Sequence, residues 1–113
     1  MITNKTKGFK IIDKQRTAGN LFTQGLGLMF RPKTDYCLVF PLKREVRLSL
    51  TMLFVFFPID VLFLDSDKQV VDIKKGFKPF ALNYTPRKPA RYILEFPAGL
   101  LKETSEGDEI AIG

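Results

Sequence analysis

The residue with the clearest potential for chemistry in this chain is Asp60, a carboxylate inside the apolar run from Leu48 to Asp65. A carboxylate removed from water is costly unless a cation or hydrogen-bond donors satisfy it. Arginine suits this role because its guanidinium group donates two hydrogen bonds to one carboxylate. We expect Arg31 or Arg47 as the partner. The pattern leaves open whether Asp60 is a structural group, in an ion pair or a backbone cap, or one that faces a ligand.

The chain lacks the usual residues of catalytic and metal sites. Histidine is absent, and Cys37 is the only cysteine. This composition removes the common zinc ligands, the common general base and any intrachain disulfide, and it excludes serine–histidine and cysteine–histidine nucleophiles. No second carboxylate lies at a recognisable spacing from Asp60, so we predict no catalytic residue, no metal and no cofactor. Cys37 is expected to behave as a small buried hydrophobe.

A basic segment lies between Asp72 and Glu95, where no acidic residue interrupts six cations. Aromatic residues and prolines are interleaved with these cations, and the whole chain has a net charge of +6. Such a segment could hold single-stranded nucleic acid through phosphate contacts and base stacking. The candidate residues are Lys74, Lys75, Phe77, Lys78, Phe80, Tyr84, Arg87, Lys88 and Arg91. The alternative is a solvated loop with its aromatic side chains packed beneath it.

The elements that must position these residues are mostly strands. β-Branched and aromatic residues occur in short runs separated by Gly, Pro, Asp and Lys, which is typical of a mainly β domain, either a small barrel or a sandwich. We predict strands at 9–16, 36–41, 46–56, 59–65, 69–74, 90–97 and 108–112, and short helices at 18–28 and after Pro97. Asp65–Lys68 predicts a hairpin turn, and Gly107 a turn with positive φ. By its length, the chain is one domain over 1–113.

Side-chain alternation predicts which strand residues are buried. In 59–65, Asp60 shares a face with Leu62 and Leu64. The segment 91–96 is predicted to be a half-exposed strand, with Tyr92, Leu94 and Phe96 on one face and Arg91, Ile93 and Glu95 on the other. The predicted core contains Ile59, Val61, Leu62, Phe63, Leu94 and Phe96.

The apolar run does not predict a transmembrane helix. It is at the short limit for a bilayer and contains Pro58 as well as Asp60. The amino-terminal residues up to Lys10 lack the apolar segment of a secretory signal, so we expect a cytoplasmic protein. The uneven charge of the chain fits a protein or another acidic partner, including nucleic acid.

Five motifs in order resemble the domain-of-unknown-function 192 family. They are Gly27–Arg31, Leu38–Pro41, Met52 with Phe57–Asp65, Val70–Val71 and Tyr92–Gly99. The resemblance extends over about 17–112 and implies a small, mostly β, barrel-like domain with a helix near the Gly-Leu-Met sequence. It implies no established activity. It makes Met52 a ligand-binding candidate beside Asp60.

The chain departs from the family pattern at one point. Many relatives have Trp-Met-Lys-Asn-Thr before the proline, whereas this chain has Thr51-Met52-Leu53-Phe54-Val55. Any site that typical relatives build there is altered or absent here. We therefore predict a noncatalytic binding or interaction domain. The alternatives are single-stranded nucleic-acid binding through 74–91 and a small enzyme that uses Asp60 with arginine.

Overall fold

The computed structural model describes residues 1–17, 35–47, 58–77 and 84–113. Within these ranges the chain forms eight strands. They are β1 (Ile2–Asn4), β2 (Phe9–Ile12), β3 (Lys14–Thr17), β4 (Tyr36–Val46), β5 (Ile59–Leu64), β6 (Val70–Phe77), β7 (Ala90–Pro97) and β8 (Ile110–Ile112). The prediction of a mainly β fold is confirmed, and the described strands form two open sheets rather than a closed barrel.

The larger sheet has five strands in the order β3-β4-β7-β5-β6, and the smaller sheet has three in the order β2-β1-β8. The segment before β8 joins the two sheets. The amide of Val70 donates to the carbonyl of Asp108 at 2.8 Å, and the amide of Ile110 donates to the carbonyl of Lys68 at 2.9 Å. Ile2 and Ile110 of the smaller sheet consequently share one hydrophobic cluster with Leu62 and other residues of the larger sheet.

The side chains of β5 point alternately to the two faces of the sheet, as the sequence predicts. Ile59, Val61 and Phe63 belong to a first hydrophobic cluster, on one face of the larger sheet. Leu62 and Leu64 belong to a second cluster on the opposite face, which Asp60 shares by alternation. The six predicted core residues, Ile59, Val61, Leu62, Phe63, Leu94 and Phe96, are all buried, so that prediction is confirmed.

The turns are partly as predicted. The hairpin at Asp65–Lys68 joins β5 to β6, and Gly107 has a φ of 91°. The predicted strand 9–16 is divided at Asp13 into β2 and β3, and β1 was not predicted. The residues after Pro97 form a turn, with Gly99 at a φ of 93°, and not the predicted helix. The predicted helix at 18–28 and most of the predicted strand 46–56 lie outside the described residues.

Strand β7 lies at the centre of the larger sheet, between β4 and β5. The prediction of a half-exposed strand is wrong, because Ile93 packs in the first cluster and Leu94 in the second, both fully buried. Clusters on both sheet faces therefore cover β7. None of the described elements is a helix long and apolar enough to cross a membrane.

Candidate functional site

Asp60 is a buried carboxylate that holds two irregular backbone segments in place. Its Oδ1 accepts a hydrogen bond from the amide of Gly76 at 2.7 Å, and its Oδ2 accepts one from the amide of Gly99 at 2.9 Å. Gly76 lies in a bulge of β6, where φ is 61°, and Gly99 lies in the turn after β7. Because β5 runs between β6 and β7, the Asp60 side chain reaches both irregular segments.

The structure therefore assigns the Asp60 carboxylate to backbone capping, one of the two structural roles that the sequence allows. Both of its oxygens are used inside the protein, and only 4% of the residue is exposed. Arg47 uses its Nε to donate to the carbonyl of Pro86 at 2.9 Å. Arg31 and Met52 lie outside the described residues.

Two of the basic-segment candidates contact acidic residues. The Arg87 guanidinium lies 3.1 Å from the carboxylate of Asp72 and also contacts that of Glu106. The Tyr84 hydroxyl donates to Asp72 at 2.6 Å, and its ring packs against Phe63 with centroids 5.8 Å apart. The segment that carries Tyr84 and Arg87 is thus fastened to the sheet by Asp72.

The ionisation of this cluster follows from its geometry. Burial raises the pKa of Tyr84 to about 12, and the hydrogen bond to Asp72 adds to the effect. Burial also acts to raise the pKa of Asp72, but donors from Tyr84, Arg87 and Ile73 outweigh it, so that this pKa is lowered. An ionised Asp72 beneath a cationic Arg87 is a stable structural arrangement at neutral pH.

The other cations of the segment have varied surroundings. Lys74 places its Nζ 5.4 Å from the centre of the Tyr84 ring, and Lys75 donates to the carbonyl of Lys102 at 3.3 Å. Lys88 is exposed. Arg91 is half-buried, and its guanidinium lies 5.0 Å from the centre of the Tyr92 ring. Lys78, Phe80 and the side chain of Phe77 lie outside the described part of the chain.

Further cations lie on and just after β4, the strand that pairs with β7 near Lys88 and Arg91. Strands β4 and β7 pair antiparallel, with Pro41 opposite Tyr92 and Val46 opposite Ala90, and β4 bulges between these pairs. Lys43 and Arg44 lie in this bulge and Arg47 directly follows β4, so all three are close to the start of β7. We call the resulting group the cationic surface; it consists of Lys43, Arg44, Arg47, Lys88 and Arg91. Sequence reasoning missed it because its two halves are about forty residues apart.

Glu95 is a second residue that the sequence reasoning missed. It lies on β7 opposite Leu38 of β4 and Val61 of β5, on the face of Ile93. Burial raises the pKa of Glu95 to about 8. The signal was available, since Glu95 shares its face of the strand with Ile93, which is buried. Because the strand was expected to be half-exposed, the carboxylate was interpreted as solvated.

A polar clasp at the chain ends was also missed. Asn4 donates to Asp108 at 2.9 Å and to Thr104 at 3.1 Å, and Lys7 donates to Asp108 at 2.9 Å and to Ser105 at 2.6 Å. Burial opposes ionisation of Asp108, but the bonds from Asn4 and Lys7 outweigh it and lower its pKa to about 2. The Lys7 Nζ thus donates to three oxygens, those of Glu103, Ser105 and Asp108, which suits a structural tie.

Curated sequences similar to this chain are named as UPF0127 proteins of archaea. The protein of Thermococcus sibiricus is 41% identical over 97% of this chain and 73% of its own length. Those of Pyrococcus furiosus and Pyrococcus horikoshii are 43% and 40% identical, over 90% and 97% of this chain and 87% and 96% of their own lengths.

Two solved structures share the fold. A Sinorhizobium meliloti protein, provisionally named a transcription regulator, aligns with a TM-score of 0.84 and 25% identity over 97% of this chain and 88% of its own. A Novosphingobium aromaticivorans protein of unknown function aligns with a TM-score of 0.86 and 22% identity over 98% and 83%. The DUF192 family, described as "Uncharacterized ACR", matches residues 2–112. The chain therefore belongs to the DUF192 family, whose members here carry no established activity.

Proposed function

We propose that this protein is a noncatalytic binding domain that holds single-stranded nucleic acid on the cationic surface. The observation that carries the proposal is the register of β4 and β7, together with the hydrogen bond from Arg47 to Pro86: they bring the backbone of 43–47 next to that of 86–91. The cations of these two stretches are Lys43, Arg44, Arg47, Lys88 and Arg91, all of them exposed or half-buried. Cations grouped in this way attract phosphates and release counterions when they bind them. Guanidinium groups can also stack on unpaired bases.

Arg91 adds a specific argument for an anion. Within the described ranges, its Nη1 is a buried side-chain nitrogen without a hydrogen-bond partner. A buried donor left unsatisfied is unfavourable, and the half-buried Arg91 side chain would relieve this cost by turning its guanidinium toward solvent, where a phosphate oxygen can accept the hydrogen bond. Glu45 is the acidic residue in the same stretch of β4. Its carboxylate accepts hydrogen bonds from the amide and the hydroxyl of Ser66, at 2.8 Å and 2.9 Å, so this acid already has donors within the protein.

The noncatalytic part of the proposal is supported by the acidic residues. The carboxylates of Asp60 and Asp72 are occupied by hydrogen bonds within the protein, and Asp108 is held in the clasp with Asn4 and Lys7. General acid–base catalysis needs a group within reach of substrate. These arrangements favour a binding domain over the alternative, an enzyme that uses Asp60 with arginine.

The choice of nucleic acid is supported by the provisional name of the Sinorhizobium meliloti protein as a transcription regulator. The structure changes which residues we assign to the contact. Arg87 and Tyr84 are committed to Asp72, so we give them a structural role. Lys74, Lys75, Lys78, Phe77 and Phe80 stay candidates for extending the contact beyond the cationic surface.

The test is a fluorescence titration of a labelled oligothymidine at several salt concentrations. About five phosphate contacts predict a slope of log affinity against log salt of roughly −3 to −4. Replacing Arg44 and Lys88 together by Gln should weaken binding and make that slope shallower by about 1.4. The matched control replaces Lys10 and Lys14 by Gln, because both are exposed lysines paired with nearby aspartates.

Equal losses in the two double variants would show that the attraction is only that of net charge. An absence of binding at low salt would overturn the nucleic-acid part of the proposal. The noncatalytic domain would then require another partner, and an acidic protein would be the next class to test.

A cytoplasmic location is part of the same proposal. Burial raises the pKa of the Cys37 thiol well above 9.0 and keeps the cysteine from reacting. A single unpaired cysteine fits a reducing compartment, where disulfides are rare. Fractionation of native cells with an antiserum against the protein tests this, and recovery outside the cytoplasm would contradict it.

A further inference from the structure

Tyr92 is an aromatic residue that directly follows Arg91 of the cationic surface. It pairs with Pro41 of β4 on one side and with Leu64 of β5 on the other. Directly opposite residues of an antiparallel pair point to the same face of the sheet. Pro41 is exposed and Tyr92 is half-buried, whereas Leu64 is fully buried in the second cluster. The Tyr92 ring therefore packs on the core along one side and borders solvent along the other.

Two cationic side chains lie over the Tyr92 ring. The Cζ of Arg91 is 5.0 Å from the ring centre, and the Nζ of Lys68 is 5.7 Å from it. Lys68 belongs to the hairpin between β5 and β6, so the ring connects this hairpin to the cationic surface. These contacts are cation–π interactions, which are weak where water reaches the cation. The groups that cover the ring are thus the ends of two long side chains.

A nucleobase can take the place of the Arg91 guanidinium on the ring. The Nη1 of Arg91 has no hydrogen-bond partner among the described residues, so the guanidinium gains a hydrogen bond when it turns from the ring toward solvent or a phosphate. The vacated face of Tyr92 then accepts a base. Stacking of a base on an aromatic side chain is usually stronger than a solvent-exposed cation–π contact, so the exchange is favourable.

We propose that Tyr92, with Pro41 beside it, is the base-stacking platform of the nucleic-acid site, and that Arg91 covers this platform until a strand binds. The inference rests on the proposed function and names the residue that gives the preference for single strands. An unpaired base has a free face to lay on the Tyr92 ring, whereas the bases inside a duplex are stacked on one another. The Pro41 ring adds an apolar contact, and Lys68 supplies a cation for the phosphate next to the stacked base.

The test compares two probes that differ only in their bases, oligothymidine and an abasic oligodeoxynucleotide with the same number of phosphates. The affinity for each probe is measured at the same low salt concentration. Tyr92→Phe keeps the ring, and Tyr92→Leu replaces it by an apolar side chain that still packs against the second cluster. Arg44→Gln is the matched control, because it removes an exposed cation of the cationic surface and leaves the ring in place.

A second measurement uses the wild type alone. The ring protons of Tyr92 should move upfield in the NMR spectrum when oligothymidine is added and should not do so with the abasic strand, since only a stacked base places its ring current over the tyrosine. The chain has three tyrosines, so Tyr36 and Tyr84 act as references in the same spectrum. An upfield shift at Tyr84 without one at Tyr92 would overturn the proposal.

We expect the wild type to bind oligothymidine about fivefold more tightly than the abasic strand, or better, because stacking on one ring adds to the phosphate contacts. Tyr92→Phe should keep this ratio of affinities, and Tyr92→Leu should reduce it to about one. Arg44→Gln should weaken the binding of both probes and leave the ratio unchanged. Equal binding of both probes by the wild type, or an unchanged ratio in Tyr92→Leu, would overturn the stacking platform and leave phosphate binding at the cationic surface intact. Binding of neither probe would overturn the proposed function and this inference with it.

Discussion

Replacing Glu95 by Gln should remove a pH dependence from the stability of the protein. In the unfolded chain the Glu95 carboxyl ionises near 4.5, whereas burial raises its pKa to about 8 in the folded state. Between these two pH values the folded state binds more protons than the unfolded state, so stability falls as pH rises through this window and is constant above it. Glutamine imitates the protonated acid and does not ionise, so the variant should lack this fall.

The size of the effect follows from the displacement of the pKa. One pKa unit corresponds to about 1.36 kcal/mol. The rise from 4.5 to about 8 therefore sets an upper limit of about 5 kcal/mol above pH 8. Because Glu95 keeps part of its surface in solvent, we expect roughly half of this limit, about 2–3 kcal/mol, as the gain of the variant at pH 8.

Urea unfolding at pH 5, 6.5 and 8 measures this difference, with Glu103→Gln as the exposed control. The chain has no histidine, so no imidazole titration obscures the window. The advantage of Glu95→Gln over the wild type should grow steadily from pH 5 to pH 8, and the control should show no such trend. An advantage that is the same at all three pH values would refute the assignment of a raised pKa to Glu95.

Three further predictions concern Asp60, Asp108 and Arg87, the cationic partner of Asp72. Asp60→Leu removes two hydrogen bonds that the amides of Gly76 and Gly99 donate to a carboxylate, and it should lower the free energy of unfolding in urea by about 3–4 kcal/mol. A loss below about 1 kcal/mol would contradict backbone capping. Arg87→Gln should reduce stability by about 1 kcal/mol and leave oligothymidine affinity almost unchanged, and the reverse pattern would place Arg87 in the contact. Asp108 has its pKa lowered to about 2, so its stabilising effect should disappear as pH falls from 3.8 toward 2. Asp108→Asn should therefore show a smaller acid-induced loss, and an unchanged loss would contradict the clasp.

The faces of β5 could be predicted from sequence because a strand alternates with a period of two. Ile59, Val61 and Phe63 accordingly pack in one cluster and Leu62 in the other. The partner of Asp60 could not be predicted in the same way. Its donors are amides of a bulge and a turn, and such backbone groups carry no side-chain signal. Of the two arginines predicted as partners, Arg47 donates from its Nε to Pro86, and the pairing with Arg31, which lies outside the described residues, stays a prediction.

The roles of Glu95 and Arg87 depend on strand order, which local patterns do not contain. Alternation in 91–96 is the same for an edge strand and for a central strand, so only the placement of β7 between β4 and β5 shows that Glu95 is desolvated. The sequence also does not indicate that the two acids near Arg87 come together. Glu106 lies nineteen residues along the chain, and the fold brings it and Asp72 to the same guanidinium.

Nucleic-acid binding at the cationic surface is tested most directly by mapping which residues the oligonucleotide contacts. Amide chemical shifts of the labelled protein would be recorded while a short oligothymidine is added at low salt. We predict that the changes concentrate at 43–47 and 86–91 and disappear as salt is raised, while β1, β2 and β8 are unaffected. Changes confined to those three strands, or no changes at low salt, would contradict the claim.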